Sequence, residues 1–167
     1  EEQVITLSVR GYIKRISADE FQEQKRGGRG KKGLKNRKRE DSALEIFMAS
    51  THSDLLVFTK TGIMFKLPVY AVPKAHRDAS GTPIVNLVPM DKEDQIIAVL
   101  SIRSFEEPVD LLCCSKKGLI KRTRLGLYKN VRRSGIRAVN CSEGDELLTV
   151  IKSEPVVMET STEDPTQ

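Results

Sequence analysis

The sequence predicts an all-β fold: a propeller-like array of about three blades, each with about four short strands, forming an open arc or a partial ring. Two observations carry this prediction. A β-hairpin signature occurs three times, and a second strand signature recurs between the hairpins in the same order. A repeat of about 50 residues holding four strands is the period of a propeller blade.

The hairpin signature occupies residues 4–16, 55–67 and 110–122. Each copy is an apolar run, then Ser/Thr-x-x-Gly, then a second run that reaches a cation. The turn residues are Ser8 to Gly11, Thr59 to Gly62 and Ser115 to Gly118. Ser or Thr suits the first position of a type I turn, and glycine suits the next position that needs a left-handed backbone. The flanking Val, Ile, Leu, Phe and Tyr residues favour strands.

The second signature begins at Ser80-Gly81-Thr82-Pro83-Ile84-Val85-Asn86-Leu87 and again at Ser134-Gly135-Ile136-Arg137-Ala138-Val139-Asn140-Cys141. Each copy is followed by an acidic turn and an apolar run, with Asp94 and Asp145 in equivalent places. Residues 40–48 form a looser first copy. The blades therefore fall at about 1–54, 55–109 and 110–153, making one domain over 1–153. Residues 154–167 read as a polar tail, expected to be disordered, or as the start of a further blade. Three blades are too few to close a ring, so the terminal blades are expected to expose strand edges.

The formal net charge is +5, with 28 Lys and Arg against 23 Asp and Glu. The distribution says more than the sum. Residues 25–39 hold nine cations and residues 116–137 hold nine more, whereas 78–115 hold only Lys92 and Arg103. Two concentrated basic zones are an electrostatic footprint for a polyanion. On the repeat, Lys14/Arg15, Lys66 and Lys121/Arg122 follow the hairpin glycine. Lys74/Arg77 and Lys129/Arg132/Arg133 occupy the loop before Gly81 and Gly135. Repetition is expected to bring these loops to one basic outer rim that neutralises phosphates without reading bases. An isolated cation such as Lys60 or Lys92 reads as a solvated surface charge.

Catalytic and metal-binding signatures are weak. The three cysteines, Cys113, Cys114 and Cys141, form no Cys-x-x-Cys, and only His52 and His76 are available to join them. That pattern argues against zinc and suits a reducing, cytoplasmic setting, with Cys113 and Cys114 as strand residues. Asp91, Glu93 and Asp94 read as a solvated acidic loop. There is no phosphate-binding Gly-x-x-x-x-Gly-Lys-(Ser/Thr) loop. Tyr12 and Tyr70 lie in strand-like runs, and neither they nor Tyr128 neighbour a metal-binding carboxylate cluster. No apolar stretch approaches the roughly 18 residues of a membrane span, so no membrane partner is expected. Aromatic residues are 5% and Trp is absent, which disfavours single-stranded RNA. A protein-interaction scaffold with a basic rim remains an alternative to a DNA-binding module.

The first basic zone opens with Gln24-Lys25-Arg26-Gly27-Gly28-Arg29-Gly30, followed by Lys31 and Lys32. Read alone, it fits a solvated basic loop as well as a contact surface. It matches at all seven positions the box of the C-terminal domain of the DNA gyrase A protein, and the chain over residues 3–152 resembles that family. Val69-Tyr70-Ala71-Val72-Pro73, Pro83-Ile84-Val85-Asn86-Leu87 and Glu143-Gly144-Asp145-Glu146-Leu147 are similar to the family's repeats. Topoisomerase IV relatives usually carry a degraded box, and the C-terminal domain of a topoisomerase IV-like subunit is the alternative within this resemblance.

The resemblance implies a β-pinwheel whose blades exchange strands, with duplex DNA running around its rim. It implies that Gln24 to Gly30 support wrapping of fixed hand, so that the full enzyme introduces negative supercoils. It further implies a nucleoid-associated protein working with the rest of the gyrase A protein and with the gyrase B protein. The catalytic tyrosine, the ATPase site and the ATP and magnesium it uses lie outside this chain, which is expected to hold no cofactor. A typical domain of the family has about six blades, so three here implies a fragment or a shortened domain.

Overall fold

The computed structural model describes residues 1–26 and 43–154. In chain order its elements are β1 (Glu2–Ser8), β2 (Tyr12–Ser17), α1 (Ala18–Arg26), β3 (Ala43–Ser50), β4 (Asp54–Thr59), β5 (Ile63–Pro68), β6 (Thr82–Pro83), β7 (Ile96–Ile102), β8 (Asp110–Ser115), β9 (Ile120–Arg124), β10 (Ile136–Arg137) and β11 (Leu147–Ser153). They form three antiparallel sheets, ordered β3-β1-β2-β6, β10-β5-β4-β7 and β11-β8-β9. The architecture is the expected propeller-like, all-β one.

The three hairpins turn by the same chemistry. In each, the glycine N–H donates to the carbonyl of the first turn residue: Gly11 to Ser8 at 3.0 Å, Gly62 to Thr59 at 2.9 Å and Gly118 to Ser115 at 3.0 Å. The hydroxyls of those Ser and Thr residues accept from the N–H of the residue after the glycine, at Tyr12, Ile63 and Leu119. All three glycines have φ between +83° and +93°, where a Cβ is strained. Carboxylates from the acidic loops fasten two of the turns. Asp94 accepts from the Thr61 N–H and hydroxyl, the latter at 2.6 Å, and Asp145 accepts from the Lys117 N–H at 3.0 Å. Despite the desolvation that opposes it, these hydrogen bonds hold the Asp94 carboxyl below the usual carboxylate range. Of the expected solvated acidic loop, Asp91 and Glu93 are exposed, whereas Asp94 is half-buried and fastens the second hairpin turn.

The first two sheets do not, however, draw all their strands from their own repeats. β6 pairs with β2 in the preceding sheet, with Ile13 opposite Thr82, and β10 pairs with β5, with Ile63 opposite Arg137. Each exchanged strand covers an edge that would otherwise invite foreign pairing. The crossings are tight. A Cβ on Gly81 would lie 2.5 Å from the Ile13 carbonyl oxygen, and one on Gly135 would lie 2.8 Å from the Phe65 ring. The third sheet has three strands among the described residues, and Ile120 on β9 is 66% exposed.

The middle sheet is buried on both faces, which is why its strands read as continuous apolar runs. Leu55 and Val57 of β4 point into a core shared with Ile5, Leu7 and Ile13 of the first sheet. Leu56 and Phe58 point the other way, into a core shared with Leu111, Cys113 and Leu125. Burial pushes the Cys113 thiol up to about 11, so it stays protonated and serves as a small apolar filler.

Two local expectations change. The residues after β2 form a helix, α1, which packs against β1 and β2. Its start is capped by Ser17, whose hydroxyl accepts from the Glu20 N–H at 3.3 Å, with Asp19 and Glu20 in the positive first turn. Tyr70 is not in a strand but in a 3-10 turn, Val69–Ala71, closed by the Val72 N–H donating to the Val69 carbonyl.

Candidate nucleic-acid interface

The exchanged strands decide where the cations go. The loop that precedes each exchanged strand must travel to the preceding sheet, so the loop of one blade lies against the second hairpin strand of the blade before it. Arg15 and Lys74 form a parallel backbone bridge, which sets the Lys74–Arg77 loop beside β2. Gly135 packs on Ile63 and Phe65, which sets the end of the Lys129–Arg133 loop beside β5, the strand that carries Lys66. The two loops therefore sit at equivalent blade boundaries.

Six of the predicted rim cations are exposed: Lys66, Lys74, Arg77, Lys129, Arg132 and Arg133. None of the six makes an ion pair or a side-chain hydrogen bond among the described residues. Exposed apolar side chains stand among them. Tyr70 is 67% exposed and Leu127 is 72% exposed, each in the short helical turn that leads into its loop. Repeat position was the signal for this pair, because both follow the hairpin's second strand at similar distances.

The other rim cations spend their donors inside the fold. Lys121 Nζ donates to the Ala138 carbonyl at 3.3 Å. Arg122 pairs with Asp110 at 3.4 Å and donates to the Ser153 hydroxyl, and Arg124 pairs with the same Asp110 at 2.9 Å. Asp110 is buried, so two guanidinium groups around it neutralise a charge that would be costly alone. Lys14 and Arg15 are similarly engaged, with carbonyls of the neighbouring loop. Lys60 is not the solvated charge its sequence context implied. It pairs with Glu146 at 3.3 Å, and its carbonyl accepts from the Leu147 N–H, tying the second hairpin to the third blade. Lys116 reaches the same Glu146, and the two lysines hold that carboxyl below its ordinary value.

Of the box, Gln24, Lys25 and Arg26 are the last residues of α1 rather than loop. Gly27, Gly28, Arg29, Gly30, Lys31 and Lys32 lie outside the described residues. Among the described residues, no group of three or more His, Cys, Asp and Glu side chains is placed to hold a metal ion. No described helix is long and apolar enough to cross a membrane.

Comparison with known proteins agrees with this geometry. The family model described as DNA gyrase C-terminal domain, beta-propeller, matches residues 2–44, 53–103 and 110–154. The chain is 49% identical over 150 residues to the DNA gyrase A protein of Clostridium acetobutylicum, covering 90% of this chain and 18% of that protein. It is 40% identical over 152 residues to the DNA gyrase A protein of Campylobacter jejuni, covering 90% of this chain and 17% of that one. It thus spans less than a fifth of these relatives. A solved C-terminal domain of DNA topoisomerase IV superposes with a TM-score of 0.75 at 26% identity, over 92% of this chain and 46% of that one. A solved DNA gyrase A C-terminal domain superposes with a TM-score of 0.64 at 20% identity, over 92% of this chain and 48% of that one, a likeness of fold. Repeated hairpins, exchanged strands and the matched family model converge on one assignment: the chain belongs to the DNA gyrase C-terminal domain family of β-propellers.

Proposed function

We propose that this chain binds duplex DNA along its outer rim and wraps it without reading sequence, as the C-terminal module of a gyrase A protein. The observation that carries the reading is the set of exposed, unpaired cations on equivalent loops at successive blade boundaries. Free Lys and Arg at regular spacing neutralise phosphates, release counterions and hold a duplex to a curved surface. They offer no fixed fork aimed at base edges, so the contact positions the DNA without specifying it.

On this reading the chain contributes no bond-breaking chemistry. Strand cleavage, ATP hydrolysis and the magnesium they use belong to the remainder of the gyrase A protein and to the gyrase B protein, in the cytoplasm at the nucleoid. The module's part is to present a wrapped segment of one hand, so that strand passage yields negative supercoils. The test is a topology assay. Relaxed closed circles are bound by the chain, relaxed again by a type I topoisomerase and stripped of protein. The linking number is expected to shift with one sign, and the shift is expected to vanish when Lys129, Arg132 and Arg133 are all replaced by alanine. Binding with no shift in linking number would refute wrapping.

A further inference from the structure

The two cations that follow the first hairpin glycine, Lys14 and Arg15, are half-buried, whereas Lys74 and Arg77 on the adjoining loop are exposed. Lys14 Nζ donates to the Arg77 carbonyl at 2.5 Å and to the Ala79 carbonyl at 2.9 Å. The Arg15 guanidinium spreads its donors over three acceptors: the Val72 carbonyl, the Tyr70 carbonyl at 3.3 Å and the Gln3 side-chain oxygen at 3.3 Å. The backbone adds two more ties, from the Arg15 N–H to the Pro73 carbonyl and from the Ala75 N–H to the Arg15 carbonyl at 3.1 Å. Most of these contacts flank Lys74 and Arg77 along one loop, and that loop belongs to the next blade.

The second boundary is built differently. Phe65 and Lys66 occupy the places of Lys14 and Arg15, counted from the hairpin glycine. Phe65 packs against Gly135, and Lys66 is exposed with no partner among the described residues. One boundary therefore uses its two cations as a lock on the neighbouring loop, and the other leaves its cation free. Burial lowers the Lys14 ammonium below the ordinary lysine value, with Asp78 opposing and Arg77 adding to the shift, consistent with a group enclosed by the loop it binds.

We propose that Lys14 and Arg15 are positioning residues that act through the Val72–Ala79 loop, fixing where Lys74 and Arg77 meet the DNA backbone. The inference rests on the rim reading above for its DNA-binding half, while the lock itself stands on the contacts. A lysine at position 15 keeps the charge but cannot reach three acceptors as the planar guanidinium does. Arg15→Lys therefore separates charge from placement.

The experiment combines amide hydrogen exchange with a double-mutant cycle in the whole chain. In Arg15→Lys, the Ala75 amide is expected to exchange at least about tenfold faster, because its hydrogen bond reports loop docking. Duplex affinity is expected to fall about threefold with net charge unchanged, and the fall is expected to disappear in a Lys74→Ala/Arg77→Ala background. Lys14→Met, which also removes a charge, serves as the second lock variant for exchange alone, and the Ala75 amide is expected to exchange faster in it as well. Unchanged Ala75 exchange overturns the lock. An affinity loss that persists in the Lys74→Ala/Arg77→Ala background overturns action through the loop. If exchange accelerates while Lys74→Ala/Arg77→Ala leaves DNA affinity intact, the lock holds, and the proposed contact of Lys74 and Arg77 with DNA is wrong.

Discussion

Replacing Lys25, Arg26 and Arg29 together with alanine is expected to weaken duplex binding by about a hundredfold at low salt. It is also expected to flatten the dependence of log affinity on log salt by about 2.7, three phosphate contacts at about 0.9 each. No other three-residue substitution on the rim should have a larger effect on binding, since no other part of the chain concentrates cations and glycines in this way. Glycine permits close approach of the backbone to a phosphate, and the cations beside it neutralise the charge there. In the full enzyme the same change is expected to abolish negative supercoiling while sparing relaxation. Gel shifts over a salt series and a supercoiling assay measure the two parts separately. Retained supercoiling would remove the box from the wrapping mechanism.

Replacing Phe58 with alanine is expected to cost about 4 kcal/mol of stability, read as a lowered midpoint in urea. Phe58 is 0% exposed and sits in the core between the second and third sheets, with residues such as Met64, Leu111 and Leu125. Its removal leaves a cavity in a core drawn from both blades, so neither sheet can collapse into it alone. Ile120→Ala is the control: that side chain is 66% exposed on β9 and should change stability by less than about 0.5 kcal/mol. Equal losses from the two substitutions would mean that the inter-blade core does not carry the fold.

The hairpins were legible because their chemistry is local and repeated. A Ser or Thr, two residues and a left-handed glycine specify the same turn wherever they occur, and three copies made the period visible. The strand exchange was not readable from local pattern. Thr82-Pro83 and Ile136-Arg137 are two-residue strands whose partners lie in the preceding repeat, and nothing nearby in sequence names that partner. Only the glycines before them, at 81 and 135, carried a trace of the close crossing. The helix after β2 did leave a signal in Ser17-Ala18-Asp19-Glu20, a capping pattern masked by the stronger strand pattern before it.

The cations were legible by repeat position, but which of them are exposed and unpaired was not. Arg15, Arg122 and Lys66 occupy one repeat position and look alike as letters. The structure gives Arg15 to loop carbonyls, Arg122 to Asp110 and Ser153, and leaves Lys66 exposed. Which cation is free depends on acceptors contributed by distant strands, such as the buried Asp110. A count of lysines and arginines cannot contain that information.

The central claim is that a set of free, regularly placed cations makes this chain a duplex-wrapping surface. The most direct test is the affinity of the intact chain for a linear duplex over a salt series. Six free rim cations at about 0.9 each predict a slope of about −5, made steeper by the box. A slope near zero, or one unchanged when Lys66, Lys74, Arg77, Lys129, Arg132 and Arg133 are neutralised, would contradict it.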